Sequence, residues 1–220
     1  MKHLALFRLR RHAVLALLAV LGGGCSSLLP PRAAPPAFYA LDASAPQLPA
    51  AGAAAPAASA PTLVVAAPHA AAGFDTRHIV YLRRAHQLES YSQAEWVDTP
   101  ARMLAPLLVA ALAQRAAFGA VVTAPGHVVG DLRLETTILR LQQDFTTSPS
   151  RVRFTLRATL LDVATRRVLA VREFDASEAS ASEDAYGGVG AAHRVVQQQL
   201  QALASFCGDE ARNWRAMPRD

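Results

Sequence analysis

The sequence predicts an α+β domain, with an antiparallel or mixed sheet covered by two amphipathic helices in a two-layer arrangement. Three observations predict it. Val152, Phe154, Leu156, Ala158 and Leu160 alternate with Arg151, Arg153, Arg157 and Thr159, the period of a half-buried strand, and a second strand-like run follows at Val168 to Phe174. Leu104, Leu107, Leu108 and Ala111 recur at helical spacing, as do Val189, Ala192, Val196, Leu200 and Leu203. Strands with one apolar face and helices with one apolar stripe bury both by packing on each other.

The chain has 220 residues, room for one ordinary domain once N-terminal segments are set aside, and only 6% are aromatic, which leaves the core to Leu, Val, Ile and Ala. Residues 1–24 read as a secretory signal: a basic stretch ending at Arg11-His12, an apolar run from Ala13 to Leu21, then Gly22-Gly23-Gly24 before Cys25. The apolar run is about nine residues long against the roughly 20 that a membrane-crossing helix needs, so its removal is expected. Small residues ahead of a cysteine make Cys25 the expected site of lipid attachment, with Gly22 standing where the lipoprotein pattern favours Leu. Ser26, in place of Asp at the second processed position, resembles lipoproteins sorted to the outer membrane. Residues 25–36 carry Pro30, Pro31, Pro35 and Pro36 and read as a semi-stiff tether, leaving the domain over 37–215.

Within that domain, Phe38 to Leu41 reads as a short strand, followed by an Ala/Pro-rich loop over 43–61. Thr62 to Ala66 is β-prone and closed by Pro68, and His78 to Leu82 with Gln87 to Tyr91 form a hairpin around Arg83-Arg84-Ala85-His86. Thr99 as N-cap and Pro100 at the first helical position start the first helix, with Gly119 as its expected stop. Ala120 to Thr123 is a further short strand. Leu132, Leu134, Thr136 and Ile138 alternate, but the phase flips at Leu139 and Leu141: either a bulge restores the inward set, or the strand is covered on both faces. Asp162 to Arg167 supplies the turn between the two later strands. Residues 175–190 read as an acidic, Gly-containing loop, and the second helix is expected from Val189 to about Phe206.

The net charge of +5 shrinks on processing: Lys2, Arg8, Arg10 and Arg11 precede Cys25, so 18 of the 22 basic residues remain against 17 acidic ones. A balance this close to neutral gives no footprint for nucleic acid. Catalysis, metal and cofactor are not expected. No G-x-S-x-G elbow is present, and the seven histidines (His3, His12, His69, His78, His86, His127 and His193) form no close helical ligand pair. Gly187-Gly188-Val189-Gly190 lacks the buried strand before it and the Lys after it that a phosphate cradle uses, so it reads as a loop at a helix start. With Cys25 acylated, Cys207 has no disulfide partner and reads as a small buried apolar group. Tyr81, Tyr91 and Trp96 lie close together in sequence beside the first helix, and either core packing or partner contact accounts for them.

The whole pattern resembles the auxiliary lipoproteins of ABC-type lipid transport systems that work with MCE-domain proteins. The resemblance rests on Cys25, Phe38-Tyr39-Ala40-Leu41, Ile79-Val80-Tyr81 with Leu88 and Tyr91, and Glu95-Trp96-Val97-Asp98-Thr99-Pro100 opening a Leu-rich helix. It continues through Leu132 to Phe145, Leu160-Leu161-Asp162 with Thr165 and Leu169, and the closing Ala-rich helix; Arg166 stands where the family usually has Gly. What the resemblance implies is a non-enzymatic periplasmic component, lipid-anchored at the outer membrane. Its expected partners are an MCE-domain protein and an ABC permease and ATPase complex, with phospholipid as a further contact; Tyr81, Tyr91 and Trp96 become candidate partner-binding residues. The rival reading is an envelope-assembly lipoprotein of the outer membrane without a transport role. An esterase is a poorer rival, lacking the nucleophile elbow.

Overall fold

The computed structural model describes residues 35–42, 59–126 and 128–216. The expected signal sequence, Cys25, the tether up to residue 34 and residues 43–58 of the Ala/Pro loop lie outside the described residues. The described elements are β1 (Ala37–Tyr39), β2 (Thr62–Val65), β3 (His69–Ala70), β4 (His78–Arg84), β5 (Gln87–Trp96), α1 (Pro100–Ala113), β6 (Ala120–Thr123), β7 (Leu132–Asp144), β8 (Arg151–Asp162), β9 (Val168–Ala179) and α2 (Ala185–Ala216). They form a mixed α+β fold in which one nine-stranded sheet and both helices share a hydrophobic core.

The sheet is organised around β7. One side of it pairs antiparallel with β8 along its whole length, and β9 continues that meander. Its other side pairs in succession with three shorter strands, all parallel to it: β2 at Leu132 to Leu134, β3 at Thr137 and Ile138, and β4 at Gln143 and Asp144. The sheet therefore forks. β6 extends it beyond β2, while β5 and then β1 extend it beyond β4.

Alternation decides which side chains face the helices. Val152, Phe154, Leu156, Ala158 and Leu160 of β8 are all at most 3% exposed, as their period required. In β7 the register slips between Ile138 and Arg140, leaving Leu139 as an extra residue, and the slip returns Leu141 and Gln143 to the inward set. A bulge is thus what resolves the phase flip. On α2, Val189, Ala192, Val196, Leu200 and Leu203 are buried as expected, joined by Ala191, Val195, Ala204, Cys207 and Ala211. On the opposite sheet face, Arg153 pairs with Asp175 and Arg157 with Glu173 across β8 and β9; half-exposed pairs of this kind each contribute about 0–1 kcal/mol.

Several boundaries differ from those the sequence suggested. α1 ends at Ala113 with Gln114 as its C-cap rather than near Gly119, whose N–H instead donates to Pro61 O at 3.0 Å. Thr99 occupies the N-cap position, but its hydroxyl makes no cap; Asp98 Oδ1 accepts the Thr99 N–H at 2.8 Å. β5 continues five residues past Tyr91 to Trp96, and β9 continues past Phe174 to Ala179, taking the first part of the expected acidic loop into the sheet. α2 starts at Ala185, ahead of the glycine run. There Asp184 Oδ1 accepts the Gly187 N–H at 2.8 Å and caps the first turn.

Candidate functional site

Tyr81 and Tyr91 come together on the β4–β5 hairpin. Their ring centroids are 4.7 Å apart, and Phe145, just after β7, meets Tyr81 edge-on at 5.7 Å. The Tyr81 hydroxyl donates to Glu89 Oε2 at 3.3 Å, and Glu89 in turn forms an exposed ion pair with Arg83. The Arg83 hydrogen bond holds the Glu89 carboxyl below its ordinary range. Outward, then, the cluster ends in charge.

Inward it ends in a buried amide. The Tyr91 hydroxyl donates to Gln143 Oε1 at 2.9 Å, and burial pushes that phenol well above its ordinary titration range, so it remains a donor. Gln143, only 2% exposed, donates through Nε2 to Ser150 Oγ at 2.9 Å and to Ser180 Oγ at 3.3 Å. Every polar atom of that side chain is satisfied, as burial requires. The hub joins β5, β7, the start of β8, the end of β9 and, through Gly188 packed on the amide, the first turns of α2. The space beside it, lined by Trp96, Gln143 and Gly188, is about 10 Å³, the lower limit for a single water.

Trp96 is not part of this surface. It is 4% exposed and belongs to the core with Leu41, Ala94 and Ile79, so core packing is the reading the structure supports for it, while Tyr81 and Tyr91 remain half-buried with exposed Leu88 nearby on β5. The backbone around Trp96 is fixed from outside: Arg77 Nε donates to Trp96 O at 3.2 Å, and the same guanidinium lies 5.6 Å from the Phe38 ring.

A second locked point lies at the far end of β8. Asp162 Oδ1 accepts the Thr165 N–H at 2.9 Å and its Oδ2 accepts the Trp214 indole N–H at 2.7 Å, which ties the β8–β9 turn to the last turns of α2. The Thr165 amide first, and the indole second, hold the Asp162 carboxyl below its ordinary range. His193 links α2 to the residue after β1, with its Nε2 2.7 Å from Ala40 O. Cys207 is fully buried, and burial pushes its thiol up to about 12, which keeps it protonated. Among the described residues no three His, Cys, Asp or Glu side chains gather as a metal site. No described helix is long and apolar enough to cross a membrane.

Sequence reasoning picked out Tyr81 and Tyr91 but missed Gln143, Phe145, Ser150, Ser180 and the Asp162–Trp214 pair. A polar residue at an inward position of β7 is the signal for Gln143, and it becomes visible only once the bulge at Leu139 is placed.

The model of the ABC-type transport auxiliary lipoprotein component family matches residues 39–204. The chain belongs to that family. The match takes this auxiliary lipoprotein from the end of β1 into α2, including Tyr81, Tyr91 and Gln143, and leaves Cys25 and Trp214 outside. Protein XCC0632 from Xanthomonas campestris shares the fold of the auxiliary lipoprotein with a TM-score of 0.67 and 23% identity, over 74% of this chain and 94% of that one. CT253 from Chlamydia trachomatis shares it with a TM-score of 0.52 at 7% identity, over 70% of this chain and 98% of that one. No curated protein matches the sequence.

Proposed function

We propose that the chain is the lipid-anchored periplasmic auxiliary component of an ABC-type lipid transport system, a docking subunit that works with an MCE-domain protein and performs no chemistry of its own. The observation that carries this reading is the family match over residues 39–204, standing behind a sequence with the order of a lipoprotein signal ending at Cys25. The lipid on Cys25 holds the domain to the outer membrane on its periplasmic side, a location supported by Ser26 in place of Asp. The β4–β5 hairpin, with Tyr81, Leu88, Arg83 and Glu89 at its surface, is the face that meets the MCE assembly. It projects from one fork of the sheet, and the Gln143 hub beneath it fixes its position.

Affinity capture of the intact lipoprotein tests this reading. The expected result is co-purification of an MCE-domain protein with the permease and ATPase, lost when Cys25→Ala releases the chain from the membrane and reduced by Tyr81→Ala. Capture unchanged in both variants would overturn it, as would capture of an outer-membrane protein or peptidoglycan alone, which is the outcome of an envelope-assembly role.

A further inference from the structure

At the end of the sheet where β7 begins and β8 ends, apolar and basic side chains stand outside both the core and any ion pair. Val128 and Val129, between β6 and β7, are 56% and 87% exposed, and Val168, which opens β9, is 54% exposed. Main-chain bonds hold these segments on one rim. The Val163 N–H donates to Asp131 O at 3.0 Å, the Asp162 N–H donates to Arg167 O at 2.9 Å, and Val163 lines the same open groove as Val128 and Val129. Arg166 and Arg167 project from the β8–β9 turn on this rim, both exposed, and neither has an ion-pair partner among the described residues. The acids beside them are occupied. Asp131 Oδ2 accepts the Thr62 N–H at 2.8 Å, and Asp162 is held by Thr165 and Trp214.

A second observation comes from the backbone. Arg166 has φ of +57°, the left-handed region that disfavours a residue with a side chain and that glycine enters freely. Its turn hydrogen bonds are made by Asp162 and Thr165, not by the Arg166 side chain, so the fold gains nothing from an arginine there. Local strain retained at an exposed charge points to a use for the charge.

We infer that this rim is a membrane contact separate from Cys25, resting on an anionic phospholipid surface with the valines in the interfacial layer and Arg166 and Arg167 on lipid phosphates. Trp214, the aromatic beside the β8–β9 turn, is half-buried with its indole N–H committed to Asp162, so the exposed side chains among the described residues of this rim include no aromatic or methionine anchor of the kind that centres a protein interface. Exposed valines flanked by unpaired arginines have instead the composition that a negatively charged headgroup layer accepts.

The test uses the processed chain from Ser26, which lacks the lipid-bearing cysteine and keeps every described residue, with flotation on phosphatidylglycerol–phosphatidylethanolamine vesicles and on phosphatidylcholine vesicles. Binding is expected on the anionic vesicles only. The double change Arg166→Gln with Arg167→Gln weakens it about thirty-fold, from about 1 kcal/mol for each arginine. Val128→Ser and Val129→Ser each weaken it about ten-fold. Arg166→Gly separates charge from fold: the unfolding midpoint rises as strain is released while vesicle binding falls. Absence of binding to anionic vesicles, or equal binding by every variant, overturns the inference. So does a result in which the variants lose capture of a transport component but keep the vesicles, which makes the rim a protein surface. None of these outcomes bears on the Cys25 anchor, which fatty-acid labelling tests on its own.

Discussion

A methyl group at position 188 would stand 2.1 Å from Gln143 Oε1, so Gly188 and Gln143 are fitted to each other across the join between α2 and the sheet. The contact explains why a glycine stands at position 188, inside the first turns of a long helix, where glycine is otherwise unfavourable by up to about 1 kcal/mol. Gly188→Ala should destabilise the domain by about 1–3 kcal/mol through overpacking. Gln143→Ala should destabilise it by a similar amount or more, because it strands the Tyr91, Ser150 and Ser180 hydroxyls. The double variant relieves the clash, so urea unfolding should show it less destabilised than the sum of the two.

Trp96→Ala should cost about 3–5 kcal/mol, the range for emptying an aromatic site in a packed core. Tyr81→Ala should cost well under that, since Tyr81 is half-buried at the surface of its cluster. Chemical denaturation of the two variants separates the core residue from the surface one. Equal losses would place Tyr81 in the core as well.

Asp162 sets a pH dependence. Its folded-state titration is depressed, chiefly by the Thr165 amide and then by the Trp214 indole, so its contribution is present above the ordinary aspartate value near 4 and is lost as pH falls through the depressed one. Asp162→Asn should lower stability at neutral pH and remove part of the decline that the parent chain shows in acid. Unfolding midpoints measured from neutral pH down to about 2 check this; parallel curves for the two proteins would refute it.

Cys207 should resist thiol reagents in the folded chain and react once denaturant is added, because its thiol is buried and pushed up to about 12. Reaction time courses with a chromogenic disulfide, with and without denaturant, measure this. Rapid labelling of the native protein would show that α2 opens locally around the residue.

Much of the fold was legible because a single local period carried it. Phe154 and Leu156 of β8, and Leu104 and Leu108 of α1, repeat at spacings that admit one reading each. The second half of β9 was not legible: Asp175, Ser177 and Glu178 carry no apolar alternation, and what keeps them in the sheet is pairing with Thr155, Arg153 and Val152 of another strand. The parallel pairing of β2, β3 and β4 with β7 joins residues about 60–70 apart, beyond the reach of any periodicity. At the site, Tyr81 and Tyr91 stood out as aromatics, whereas Gln143 was hidden behind a register that the sequence left open between two solutions. Asp162 and Trp214 were 52 residues apart with nothing local to join them.

The dependence of six early strands on β7 bears on how the molecule comes into being. Pairs such as β4 with β5 and β2 with β6 can form as soon as they are synthesised, but the two forks have no common partner until Leu132 to Asp144 arrives, and β8 must then close the remaining side. A polypeptide threaded N-terminus first through a narrow conduit therefore stays loose for more than half its length and becomes compact only on the far side.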